Sequence, residues 1–358
     1  MTLAQFLDRF DGPDRSIVIV NRTDPDPVLN MLVDTFGENA VSVVDETIGG
    51  GGRRADVGGP VGDEPKEHET DGGDSDFRGG LTTRDLTADR STDRDGAGAT
   101  RGDADRLADG DGARRDTGDD CPVINVDALR EHDGVPFDGD DPRELENLAL
   151  LVEDDQVIAG STLDELSEAV LLVNSDLYVT GSRTLDEVDL PPVISGLTDT
   201  TFTLRGYPES NREKLLLITI SRFIERAAWM AGDGTLRSSF QRLSRIDDEV
   251  GTRNVYERVS KAGIDTHIYG VPDGLPRDLD AVIHGGDTRD FTDSWFVVYR
   301  PSEGPQPTDD GLESDIERGM RGGVGMIAVE TEPRLWRGLW TFDPDRLQSV
   351  NRYIERNL

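Results

Sequence analysis

Apolar residues along this chain fall in short runs whose period changes from segment to segment. Residues 16–20 (SIVIV), apolar from Ile17 onward, read as a buried strand. Residues 26–36 predict a helix, with Asp24 or Asp26 near its start and Gly37 just past its end. Residues 41–44 predict a second strand, so 1–48 reads as a β-α-β unit.

The pattern then stops. Residues 49–120 hold 17 glycines and one aromatic residue, Phe77. Such a segment cannot bury enough apolar surface to offset the entropy of ordering, which predicts a disordered acidic insertion. Closure entropy grows slowly with length, so a loop tolerates an insertion of this size. The tetraglycine at 49–52 lacks the following lysine and hydroxyl residue of a phosphate loop, and reads as linker.

Order returns at 122–126 (PVINV). Residues 148–153 and 156–160 flank Asp154 and Asp155 and predict a hairpin. A helix over 163–173 follows, capped by Ser161 or Thr162, and 202–204 reads as a short strand or turn. The strongest helical signal is 211–230, where Leu216, Ile220, Phe223, Ala227 and Met230 share one face. Ser210 and Glu213 have capping-box spacing before it, and Gly232 supplies the stop. A strand at 235–240 and a helix at 253–261 follow, the latter with Thr252 as cap and Gly263 as stop. Strands are then expected at 266–269, 281–284, 295–299, 324–330 and 337–341. Asp343 and Pro344 open a final helix. The fold class is α/β (α+β): a mixed β-sheet, largely antiparallel toward the C-terminus, with flanking helices. The expected parts are the 1–48 unit packed on the main domain, the 49–120 insertion, a 121–210 extension and a 211–358 core.

Charge changes the picture of where such a chain works. It carries 73 acidic and 38 basic residues, a formal net charge of −35. Only three of the basic residues are lysines, Lys66, Lys214 and Lys261. The 49–120 segment accounts for a net of −8, so −27 remains on the rest. An acidic, lysine-poor surface of this kind suits molar salt, where the Debye length is about 3 Å and like charges are screened. A halophilic cytoplasmic protein is expected. No basic stripe stands clear of acidic neighbours, so direct nucleic-acid binding is not expected. The single cysteine, Cys121, excludes an internal disulfide. The opening residues show no secretory signal, and no apolar run approaches the length of a membrane span.

No GxSxG, phosphate-loop, kinase or Rossmann pattern is present. His267 and His284 sit on expected strands and can approach each other across the sheet, but no HxxxH or acidic triad accompanies them. Structural histidines are therefore expected, with no metal and no cofactor. The remaining candidates are polar and aromatic. Asn174, Asp176 and Tyr178 lie in VNSDLYVTG; Arg205 and Tyr207 lie in RGYP; Gln241 ends a strand; Trp295 and Trp340 sit on strands near polar neighbours. Aromatic walls with a few convergent polar groups make a ligand site, and these eight residues are the expected one.

The C-terminal clusters, in their order and spacing, resemble the DICT domain. The resemblance rests on Thr235 and Leu236 through Phe240, Gln241, Arg242, Leu243 and Ser244, then Val255, Tyr256 and Glu257. It continues through DTHIYGVPD (265–273), WFVV (295–298) and GLWTFD (338–343). Upstream, VNSDLYVTG and RGYPESNREKLLL resemble longer haloarchaeal members. The resemblance implies a sensory module, without catalytic residues of its own, linked to two-component or light-responsive signalling. The chain has no attached cyclase, phosphodiesterase or kinase pattern, so the implied route runs through a separate protein such as a histidine kinase or response regulator. Two other readings stay open. One is an enzyme with a pocket at Asn174, Asp176 and Arg205; the other is a scaffold that recruits partners through its acidic insertion.

Overall fold

The computed structural model describes residues 2–10, 12–13, 15–20, 41–44, 135, 147–153, 156–169, 185–205, 214–248, 250–304 and 314–358. The expected helix at 26–36, the insertion at 49–120 and the strand at 122–126 lie outside them.

A short helix α1 (Leu3–Leu7) opens the chain, closed at its start by a Thr2–Gln5 capping box. Strands β1 (Arg15–Val20) and β2 (Val41–Val44) pair in parallel. Strands β3 (Leu148–Glu153) and β4 (Gln156–Thr162) form the expected hairpin. β3 lies antiparallel on β1, giving a four-stranded sheet in the order β2-β1-β3-β4. The segments on either side of the long insertion thus meet in one sheet. Five of the six β3 residues are buried, which is why its sequence is a continuous apolar run and not an alternation. Helix α2 (Leu163–Ser167) follows with Thr162 as its cap: the Thr162 hydroxyl accepts from the Glu165 N–H. Ser161, the other candidate cap, instead accepts from the Val193 N–H at the start of α3 (Pro192–Ser195). Residues 170–173 of the expected helix lie outside the described ones.

The second sheet has seven strands. In chain order they alternate with helices: β5 (Thr201–Arg205), α4 (Leu215–Ala231), β6 (Thr235–Arg242), α5 (Arg245–Asp248), α6 (Val250–Lys261), β7 (Asp265–Val271) and β8 (Val282–Gly285). Then come α7 (Arg289–Thr292), β9 (Ser294–Arg300), α8 (Asp315–Gly322), β10 (Val324–Glu332), β11 (Leu335–Thr341) and α9 (Pro344–Asn357). The order across the sheet is β5-β11-β10-β9-β6-β7-β8. β6, β7 and β8 are parallel; every other pairing is antiparallel. This is the mixed, largely antiparallel sheet that the strand pattern predicts.

Two layers cover the sheet. On one face lies α4, which buries every residue from Leu215 to Glu225. A helix apolar nearly all round is a central one. The Phe223 ring meets Trp340 and Phe342 edge-on, at 6.1 and 6.3 Å. The same core continues into the smaller sheet through Ile17, Ile19 and Leu151. The other face is covered by α1, α7 and α9, with Leu3, Phe291, Phe296, Val298, Leu347 and Ile354 buried between them. α4 ends as expected at Gly232, whose φ of 70° is the left-handed turn that glycine adopts without a Cβ clash. The expected cap residues at its start, Ser210 and Glu213, lie outside the described residues; the helix is described from Leu215, with Lys214 at the N-cap making no side-chain capping bond. Thr252 is no cap: α6 begins two residues earlier, and Thr252 lies buried inside it. Asp343 does cap α9, accepting from the Asp345 and Arg346 N–H groups, with Pro344 at the first position. Among the described residues, no helix is long and apolar enough to cross a membrane.

Candidate functional site

The end of β6 departs from regular strand geometry. Ser239 pairs with Tyr269 and Arg242 with Val271, so β6 carries one extra residue there, a β-bulge. Gln241 sits in the bulge with φ 59°, the left-handed region. A side chain held there costs roughly 1–3 kcal/mol, and such strain collects at functional sites. Gln241 is buried, and its Oε1 accepts from the Arg245 Nη1.

Neighbouring side chains pin this end down. Ser239 Oγ accepts from the Phe296 N–H at 2.8 Å and donates to the Ser294 carbonyl at 3.3 Å. These bonds extend the β6–β9 contact past the last ladder pair, Ser238 with Val297. Half-buried Trp295 donates its Nε1–H to Ser221 Oγ of α4 at 3.1 Å. Beyond β7, the Asp273 carboxylate accepts from the Ser244 N–H at 3.1 Å and its hydroxyl at 3.0 Å. The Ser244 backbone N–H holds this carboxylate below its ordinary range. β6 has a parallel neighbour on one side and an antiparallel one on the other. In open α/β sheets, ligands bind beyond the carboxyl ends of parallel strands where the connections reverse direction. Gln241 and Trp295 stand at that position.

Behind the bulge runs a buried polar network. The Phe240 ring meets Tyr256 edge-on at 5.1 Å. The Tyr256 hydroxyl donates to Glu225 Oε1 at 2.6 Å, and Arg222 donates to the other oxygen of the same carboxylate. Arg222 also donates to Thr252 Oγ1 at 2.8 Å. Burial, followed by the Glu225 charge, pushes the Tyr256 hydroxyl well above its ordinary range, so it stays a donor. The Arg222 and Glu225 side chains are 4% and 2% exposed. Taking an ion pair that far from water costs as much as its attraction returns, so stability alone does not account for it. The network ties α4, α6 and the bulged strand into one unit.

The expected site residues separate into four groups. Gln241 lies at the carboxyl end of β6, and Trp295 lies near the start of its antiparallel neighbour β9. Trp340 lies elsewhere: it is fully buried against Phe223 and Phe342, and its Nε1–H has no partner among the described residues. Arg205 ends β5 at the same edge of the sheet as Gln241, but four strands away, about 19 Å at the usual strand spacing. Asn174, Asp176, Tyr178 and Tyr207 lie outside the described residues, as does the expected meeting of Asn174 and Asp176 with Arg205. Arg222, Glu225 and Tyr256 were not among the expected residues. Local pattern does not single them out: an arginine and a glutamate three apart merely interrupt the apolar run of α4.

His267 and His284 do approach each other, with Nδ1 of the first 2.8 Å from Nε2 of the second. Nε2 of His267 faces Asp265 at 3.1 Å. The three groups form a line and do not surround a point. Among the described residues, no group of three or more His, Cys, Asp or Glu can hold a metal ion. Comparison with protein-family models, with curated proteins and with solved structures found no match to this chain.

Proposed function

We propose that this chain is a non-catalytic cytoplasmic sensory module of a halophile. It binds a small ligand, or a protein partner, at the carboxyl end of β6 and acts through a separate output protein such as a histidine kinase or response regulator. The observation that carries this reading is the strained Gln241 bulge joined to a buried ion pair. The strained residue costs stability and the ion pair returns no more than it costs, and both lie on one path from the strand end to α4 and α6. A bound group that prefers one arrangement of the bulge shifts that path between two states, which is what a sensor needs. The resemblance of residues 235–343 to the DICT domain supports the same reading, and so does a net charge of −35 suited to molar salt.

The test uses the full chain purified in molar potassium chloride. Unfolding it and analysing the supernatant by mass spectrometry is expected to release one compound at a fixed ratio to protein. Trp295→Leu, a substitution at a half-buried position, is expected to fold and to lose that compound. A folded wild-type chain that releases nothing, or a variant that releases the same amount, contradicts the small-ligand reading.

A further inference from the structure

β8 is the edge strand of the larger sheet and has only four residues. It pairs in parallel with β7 through four positions, from His267 with Val282 to Gly270 with Gly285. So short a strand makes few ladder bonds, and its side chains carry much of its attachment. The chief attachment is His284. Its ring stacks on Tyr269 at 4.3 Å and 9°, and its Nε2 meets His267 Nδ1 at 2.8 Å.

The protons in this line follow from its end. An ionised carboxylate only accepts, so Asp265 requires His267 to carry its proton on Nε2. Nδ1 of His267 is then an acceptor, and His284 Nε2–H donates to it. The two imidazole planes differ by 23°, with centroids 5.1 Å apart, which fits an edge-to-edge bond. A first proton preserves the bond, because an imidazolium still donates to a neutral imidazole. A second proton leaves two cations and no acceptor.

We propose that the His267–His284 pair is a proton-operated latch on β8, closed while at least one ring is neutral and opened when both are charged. The groups facing the pair set its balance. β7 contributes Asp265 and Tyr269, and β6 contributes Arg237, which donates to the Tyr269 hydroxyl at 2.8 Å. α9 contributes Glu355, paired with Arg237 at 2.7 Å, and Arg300 of β9 acts on Glu355 as well. The Arg237 and Arg300 guanidiniums are matched by the Glu355 and Asp265 carboxylates, so in a doubly charged pair the two rings chiefly repel each other. Burial, then His267, then Arg237 hold His284 below the ordinary histidine value. The sign follows. The unfolded chain takes up this proton first, near pH 6.5. The neutral ring's stabilisation is complete above that pH and is lost as pH falls through the lower folded value. The latch stands independently of the Gln241 site; the sensory reading only gives its movement a use.

The test is a titration of the full chain in molar salt, following imidazole signals by NMR and backbone amide exchange in β8. The chain has four histidines, so single substitutions assign each signal. The pair is expected to take up its two protons in two separate macroscopic steps, as coupled groups do. Exchange at 283–285, corrected for intrinsic pH dependence, is expected to rise about tenfold or more through the second step while β10 stays protected. His284→Gln keeps an N–H donor that cannot charge, and is expected to abolish that rise and the second step. Asp265→Asn, at a largely exposed carboxylate, is expected to lower the first step in a folded chain. Coincident, independent steps, or β8 exchange that is the same in wild type and His284→Gln, overturns the latch.

Discussion

Replacing Glu225 by alanine is expected to destabilise the protein by about 3–5 kcal/mol, because it removes the carboxylate that pairs with the buried Arg222 guanidinium. The carboxylate is nearly inaccessible to water and accepts from both Arg222 and Tyr256. The alanine therefore removes an acceptor shared by a cation and a hydroxyl. Denaturant unfolding in molar salt measures the loss. The double variant Arg222→Met with Glu225→Leu is the informative control. It removes both charges in similar volume, and such replacements are often neutral or stabilising by about 1–4 kcal/mol. The expected result is therefore non-additive: a severe single variant and a mild double one. If the double variant is as unstable as the single one, the pair is a structural necessity, and its place in the sensory path loses its main argument.

The second large effect is at Trp340. Trp340→Ala is expected to cost about 3–5 kcal/mol, the range for deleting a buried large aromatic side chain. The indole is fully buried, with Phe223 at 6.1 Å and Phe342 at 5.4 Å, so little can collapse into the space. The matching change at half-buried Trp295 removes fewer core contacts and should cost clearly less. Thermal unfolding of both variants under one salt condition compares them. A Trp340→Ala chain that stays as stable as Trp295→Ala contradicts the core assignment.

These two tryptophans show what the sequence made legible. Each sits in a strand with aromatic neighbours, and strand periodicity places each on one face of the sheet. How deeply each is buried depends on α4, whose Phe223 closes over Trp340 and whose Ser221 meets Trp295. That is tertiary information, and local pattern does not hold it. Elements with a strong local signal were readable: the apolar run before Gly232, the Thr162 cap, and Asp343 with Pro344 at the last helix. The joining of β1 to β3 was not readable, because nothing in either run names its partner across the long insertion. The bulge was hidden for another reason. Left-handed turns are usually announced by glycine or asparagine, and here the residue is Gln241. Gln241 was singled out by its place at a strand end, and its conformation adds a physical reason for interest. The ion pair was hidden by its own spacing, since an arginine and a glutamate three apart on a helix ordinarily mark an exposed face.

On the proposed reading, occupancy at the carboxyl end of β6 is felt by α4 and α6 through Phe240, Tyr256, Glu225 and Arg222. Amide hydrogen exchange on the full chain in molar potassium chloride tests this most directly. The natively purified protein is compared with the same protein stripped by unfolding and refolding, and then with the released compound added back. The account predicts faster exchange at 239–245 and along α6 in the stripped chain, unchanged exchange in β10 and β11, and full recovery with the compound intact. Identical exchange in all three samples, or conversion of the compound to a product, would contradict it.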